Sequence, residues 1–106
     1  MKKLTVLLIA LMYIAIAYSQ NNTFTAIVKD GKTNFPLSGA SAQVIGSSIA
    51  AAADSNGTIV LKNIPSGKQL IEFRFIGYES QIDTFYFPLN QTKPFVVNLI
   101  EQHDED

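Results

Sequence analysis

The sequence predicts an all-β domain, a seven-stranded sandwich behind an N-terminal leader. Three observations predict it. Short apolar runs alternate inward and outward residues with a period of two. Turn chemistry recurs between them at Asp30-Gly31, Gly46-Ser47-Ser48, Asp54-Ser55-Asn56-Gly57 and Pro65-Ser66-Gly67. No segment after the leader carries a helical repeat long enough to nucleate in water.

Met1-Lys2-Lys3 is a basic start, and the 14 residues from Leu4 to Ala17 are an apolar run. Ala17 and Ser19 are small side chains at the third-last and last positions before Gln20, the pattern a signal peptidase reads. The run falls short of the roughly 20 residues that span a bilayer. Residues 1–19 are therefore expected to be a cleaved signal peptide, and the product is expected to be exported, to the periplasm or the outer membrane. No Cys follows the apolar run, which excludes a lipid-anchored lipoprotein.

The chain has 106 residues and no cysteine, so a domain from residue 20 must be held by burial alone. All 7 Phe lie after the leader and suit a thin β core. From Gln20 to Ile100 six basic groups face five acidic ones. That balance leaves no basic stripe and excludes nucleic acid as a partner. Glu101, Asp104, Glu105 and Asp106 make residues 101–106 an acidic tail or linker.

The first strand is Phe24 to Lys29, with Phe24, Ala26 and Val28 on one face. Asp30 to Asn34 turns the chain. Gly31 is expected to supply a positive φ, and Asp30 to bind nearby amides. Ala40, Ala42 and Val44 line a second strand. Ile49 to Ala53 is a short third strand, because five residues between Gly46 and Asp54 cannot hold a helix.

Asp54 to Gly57 is the best hairpin signal, followed by a strand from Thr58 to Lys62 with Ile59 and Leu61 inward. After the Pro65-Ser66-Gly67 turn, Gln69 to Tyr78 reads as the central strand. Ile71, Phe73 and Phe75 point in, and Glu72 and Arg74 form a solvated pair. Ile82 to Phe87 follows, ended by Pro88. Phe95 to Ile100 is the seventh strand.

Catalytic constellations are absent from this reading. The single His, His103, lies in the tail, far from any Ser placed to be a nucleophile. Carboxylates stand singly, and no His-Glu-x-x-His zinc motif occurs. Asp54 and Asn56 open like a calcium loop. Ile59 then stands where such a loop needs Gly, and Pro65 where it needs a carboxylate, so the turn reading is preferred. His103 with Asp104, Glu105 and Asp106 is read as a solvated linker rather than a metal site. No catalytic residue, metal site or cofactor is expected. Tyr78 and Tyr86 are the candidate binding residues, outward rings able to stack on a sugar, although singly exposed aromatics are ordinary. Asn21-Asn22-Thr23, Asn56-Gly57-Thr58 and Asn90-Gln91-Thr92 match the glycosylation pattern and are read as unused.

The ordered set of turns resembles the carboxypeptidase regulatory-like domain, a transthyretin-like Greek-key β-sandwich. The residues that carry the resemblance are Asp30, Thr33, Pro36-Leu37-Ser38-Gly39-Ala40, Gly46, Asp54 to Gly57, Pro65-Ser66-Gly67 and Phe75-Ile76-Gly77-Tyr78. Together they cover about residues 24–100. Ala26 stands where the family often has Gly, and Ala53 where Thr often precedes the Asp turn.

The resemblance implies a non-catalytic domain that is usually an attachment. In Bacteroidetes it follows the signal peptide of TonB-dependent outer-membrane receptors and precedes their plug and barrel. Gln102 to Asp106 resembles the start of the junction to such a plug. The expected partner is then a protein in the periplasm or outer membrane. A truncated frame, a fragment and a stand-alone paralogue stay open at this point. The alternative function is a secreted carbohydrate-binding module.

Overall fold

The computed structural model describes residues 22–102. The expected leader and His103 to Asp106 lie outside the described residues.

Seven strands form two sheets: β1 (Asn22–Asp30), β2 (Ser41–Val44), β3 (Ala50–Ala52), β4 (Thr58–Ile64), β5 (Gly67–Arg74), β6 (Gln81–Phe87) and β7 (Phe95–Leu99). A three-stranded sheet has the order β4-β1-β7, and a four-stranded sheet the order β3-β2-β5-β6. β1 runs antiparallel to β4 and parallel to β7, so the first and last strands close the same sheet. β2–β3 and β5–β6 are antiparallel hairpins within one sheet. The other four connections cross between sheets.

Alternation sets the core, because successive side chains point to opposite faces. Phe24, Ala26 and Val28 of β1, Ala42 and Val44 of β2, Ile59 and Leu61 of β4, Ile71 and Phe73 of β5, and Val97 and Leu99 of β7 are all buried between the sheets. Phe24 is the centre of an aromatic cluster. Its ring centroid lies 4.6 Å from Phe85, 6.1 Å from Phe87, 6.2 Å from Phe95 and 6.4 Å from Phe73. Offset and edge contacts at such spacings add to what area burial alone contributes. No polar or charged side chain is buried among the described residues.

Four local expectations are corrected. The Asp54–Gly57 turn forms, closed by Gly57 N–H on the Asp54 carbonyl at 3.0 Å, but its flanking strands enter different sheets and do not pair. It is a crossing between layers and not a hairpin. The positive φ in the first turn falls on Asn34, at 67°, and not on Gly31. Gly31 is small for another reason: a Cβ there would lie 3.2 Å from the Leu99 carbonyl oxygen.

β4 runs on to Ile64 instead of stopping at Lys62. Its register against β1 shifts between the Phe24–Leu61 and Asn22–Ile64 pairs. Asn63 takes φ 60° at this bulge, which returns Ile64 to the core. Finally, β5 ends at Arg74. Phe75 to Tyr78 is a tight turn closed by the Tyr78 amide on the Phe75 carbonyl at 3.0 Å. Gly77 takes φ 86° at its third position, as a type II turn requires.

Candidate functional site

Four turns that are separate in the sequence, at Asp30, Pro36 to Ala40, Asp54 to Gly57 and Phe75 to Tyr78, meet at one end of the sandwich. Val28 N–H donates to the Gly57 carbonyl at 2.8 Å, and Leu37 N–H to the Val28 carbonyl at 2.9 Å. A Cβ on Gly57 would lie 2.6 Å from the Val28 oxygen and 3.1 Å from Cβ of Pro36, so only glycine fits. Gly39 N–H donates to Ala53 at 3.1 Å, and the Gly39 backbone faces the Phe75 ring.

Asp30 and Tyr78 tie this end together. The Tyr78 hydroxyl donates to Oδ2 of Asp30 at 2.7 Å. Oδ1 of the same carboxylate accepts the Lys32 amide at 2.8 Å and the Thr33 amide at 3.5 Å. These bonds stabilise the anion, the Lys32 amide most and Tyr78 next, and hold Asp30 below its ordinary range. The same carboxylate, with partial desolvation, pushes the Tyr78 phenol up to about 12. The Tyr78 ring packs edge-on to Phe75 with centroids 5.5 Å apart. Its backbone bridges to Glu101, with Glu79 N–H on Ile100 and Gln102 N–H on Gly77, both at 2.8 Å. The last described residues are thus stitched to the Phe75–Tyr78 turn.

A shallow cleft of about 580 Å³ opens beside this lock, lined by Ser41, Arg74, Phe75, Ile76, Tyr78 and Gln102 among others. Arg74 is its cation, 3.9 Å from Glu72 and largely exposed. Ile76 at the tip of the turn is 95% exposed, and Phe35 and Ile100 on the adjoining loops are also exposed. The alternation pattern could not flag these three, since they sit in turns and at a strand end.

The two tyrosines singled out by sequence are not brought together. Tyr78 is half-buried with its hydroxyl committed to Asp30, and so does not point outward. Tyr86 is exposed and pairs with Lys68, six positions along β5 from Arg74. That is about 20 Å at about 3.4 Å per residue. One sugar cannot rest on both rings. Asp54 spends Oδ1 on the amides of Asn56 at 2.9 Å and Thr58 at 3.0 Å, which is turn capping. Among the described residues no group of three His, Cys, Asp or Glu side chains is placed to hold a metal. His103 lies outside the described residues.

The model of the CarboxypepD_reg-like domain matches residues 27–105. Solved structures share the fold. A chain of a type II cohesin-X-dockerin complex from Acetivibrio cellulolyticus, mutated at its C-terminal interface, is 13% identical with a TM-score of 0.56, over 74% of this chain and 56% of that one. A streptococcal ancillary pilin is 14% identical with a TM-score of 0.60, over 78% of this chain and 30% of that one. The chain thus spans little more than half the length of the first of these and under a third of the second. No curated protein matches. With much of its family pattern (Asp30, Pro36 to Ala40, Asp54 to Gly57 and Phe75 to Tyr78) folded into one hydrogen-bonded end and the family model covering most of its length, the chain belongs to the CarboxypepD_reg-like domain family.

Proposed function

We propose that this chain is a non-catalytic accessory domain that works by protein–protein contact, facing the periplasm as the N-terminal part of a TonB-dependent outer-membrane receptor. The observation that carries the reading is the end built on Asp30 and Tyr78. There Ile76, Phe35 and Ile100 stand exposed on loops held rigid by backbone bonds, beside Gln102. Exposed apolar side chains on a rigid frame suit docking of a neighbouring protein surface. The cleft supplies an exposed guanidinium and no nucleophile–base pair, which suits contact rather than turnover. The likeness of the fold to chains of a cohesin-X-dockerin complex and a pilin agrees with a sandwich used in assemblies.

Sequencing the DNA 3′ of the Asp106 codon tests the receptor reading. A frame running into plug and barrel sequence, directly or through one frameshift, supports it. A clean stop before an unrelated gene removes the receptor and leaves an exported sandwich.

A further inference from the structure

The outer face of the four-stranded sheet carries an apolar patch that the end described above does not use. Leu70 is its hub. Ile45 N–H donates to the Leu70 carbonyl at 2.8 Å, and Thr84 stands opposite Leu70 on β6. Tyr86 and Ile82, two positions either side of Thr84, are its diagonal neighbours, roughly 7–8 Å away at ordinary sheet spacing. Tyr86 is 65% exposed, Ile82 52%, Ile45 44% and Leu70 37%. Four large apolar side chains on neighbouring strands exceed the scattered exposure that needs no explanation.

Two of the three charges on the outward side of β5 stand symmetrically about Leu70, and the third, Arg74, lies beyond Glu72 and 3.9 Å from it. Lys68 lies two residues before it and Glu72 two residues after, both on the outward side of β5. Lys68 shares a row with Tyr86, and Glu72 shares a row with Ile82. Consider a two-fold axis above Leu70, parallel to the sheet just outside its outer face and perpendicular to its strands. It sets Leu70 on Leu70, Lys68 on the partner's Glu72, and Tyr86 on the partner's Ile82. Every apolar group meets an apolar group, and the Lys68–Glu72 ion pair forms twice. Any other pairing of rows opposes like charges or leaves an apolar side chain over a charged one.

We infer that this face is a homodimer interface, in which two copies stack their four-stranded sheets face to face about Leu70. The occupant is a second copy because the face is complementary to itself, as an isologous interface must be. The inference rests on this face and its charges, and not on the receptor reading. Four strands about 4.8 Å apart make a patch smaller than the roughly 800 Å² per partner of a standard interface. The dimer should therefore be weak, with a Kd on the order of 10 µM.

Sedimentation equilibrium of residues 20–106, from roughly 1 to 500 µM, tests it over a range that brackets that Kd. The unit keeps the whole described core, which runs from Phe24 to Leu99. The expected result is a monomer at the low end and a dimer at the high end. Leu70→Asp should raise the Kd by about 100-fold or more. Lys68→Glu and Glu72→Lys should each weaken the dimer several-fold, and the double variant should recover the wild-type Kd to within about threefold. Arg74 loses its Glu72 neighbour in both the Glu72→Lys and the double variant, so that local cost cancels between them. Circular dichroism reports whether each variant folds, and should Leu70→Asp fail to fold, the charge-reversal series carries the test alone. A monomer at every concentration overturns the inference and leaves the face to a foreign partner. So does a dimer whose Kd the charge reversals do not change, or a double variant no better than the singles.

Discussion

The hydroxyl of Tyr78 donates a 2.7 Å hydrogen bond to Oδ2 of Asp30, 48 positions earlier in the chain. It joins the first turn, at the end of β1 in the three-stranded sheet, to the turn between β5 and β6 of the four-stranded one. The bond stabilises only while the phenol holds its proton and the carboxylate has lost its own.

Tyr78→Phe should therefore lower stability between about pH 5 and pH 9, with a difference that closes at both extremes. Asp30 is depressed in the fold, so its contribution is present above the ordinary 3.8 and lost as pH falls through the lower folded value. Tyr78 is raised, so its contribution is present below 10.0 and lost as pH climbs from there through about 12. Urea midpoints of both proteins from pH 2 to 12 check the shape. Coincident profiles would mean that the bond adds nothing to stability, and a constant offset at every pH would mean that the loss does not come from this bond.

Gly57→Ala should destabilise by about 2 kcal/mol or more, because two costs act together. The new Cβ would stand 2.6 Å from the Val28 oxygen, and the residue must hold φ 78°. Thermal unfolding measures it. A loss below about 0.5 kcal/mol would show that this crossing gives way easily.

Phe24→Ala should cost about 3–5 kcal/mol, since it empties the centre of the aromatic cluster. Phe35→Ala, on an exposed loop residue, should stay within about 0.5 kcal/mol. Denaturant titration of the two variants side by side checks the contrast.

Gln91 acts as a strand partner for Thr25. Its Oε1 accepts the Thr25 amide at 3.1 Å, and its Nε2 donates to the Thr25 carbonyl at 2.9 Å. Gln91→Leu should cost about 1–2 kcal/mol and speed hydrogen exchange at the Thr25 amide. An unchanged exchange rate would mean that water replaces the side chain without loss.

Alternation and turn residues determined much of this protein by themselves. The seven strands, the inward faces of Phe24, Ala26 and Val28 or of Ile71 and Phe73, and the family all follow from them. Those signals are local, because side-chain direction repeats every two residues whatever lies alongside. Only the tertiary structure decided which strands are neighbours. Backbone donors and acceptors are alike along every strand, so the parallel pairing of β1 with β7 carries no mark in either segment. The same holds for the Asp54–Gly57 turn, whose chemistry suits a hairpin and whose flanking strands separate because each finds its burial in a different sheet. Asp30 and Tyr78 were legible as a strand end and an aromatic. That they are one hydrogen-bonded pair, and that Tyr86 lies far from both, depended on how the two sheets stack, since only joint burial of both inner faces fixes distances between segments remote in sequence.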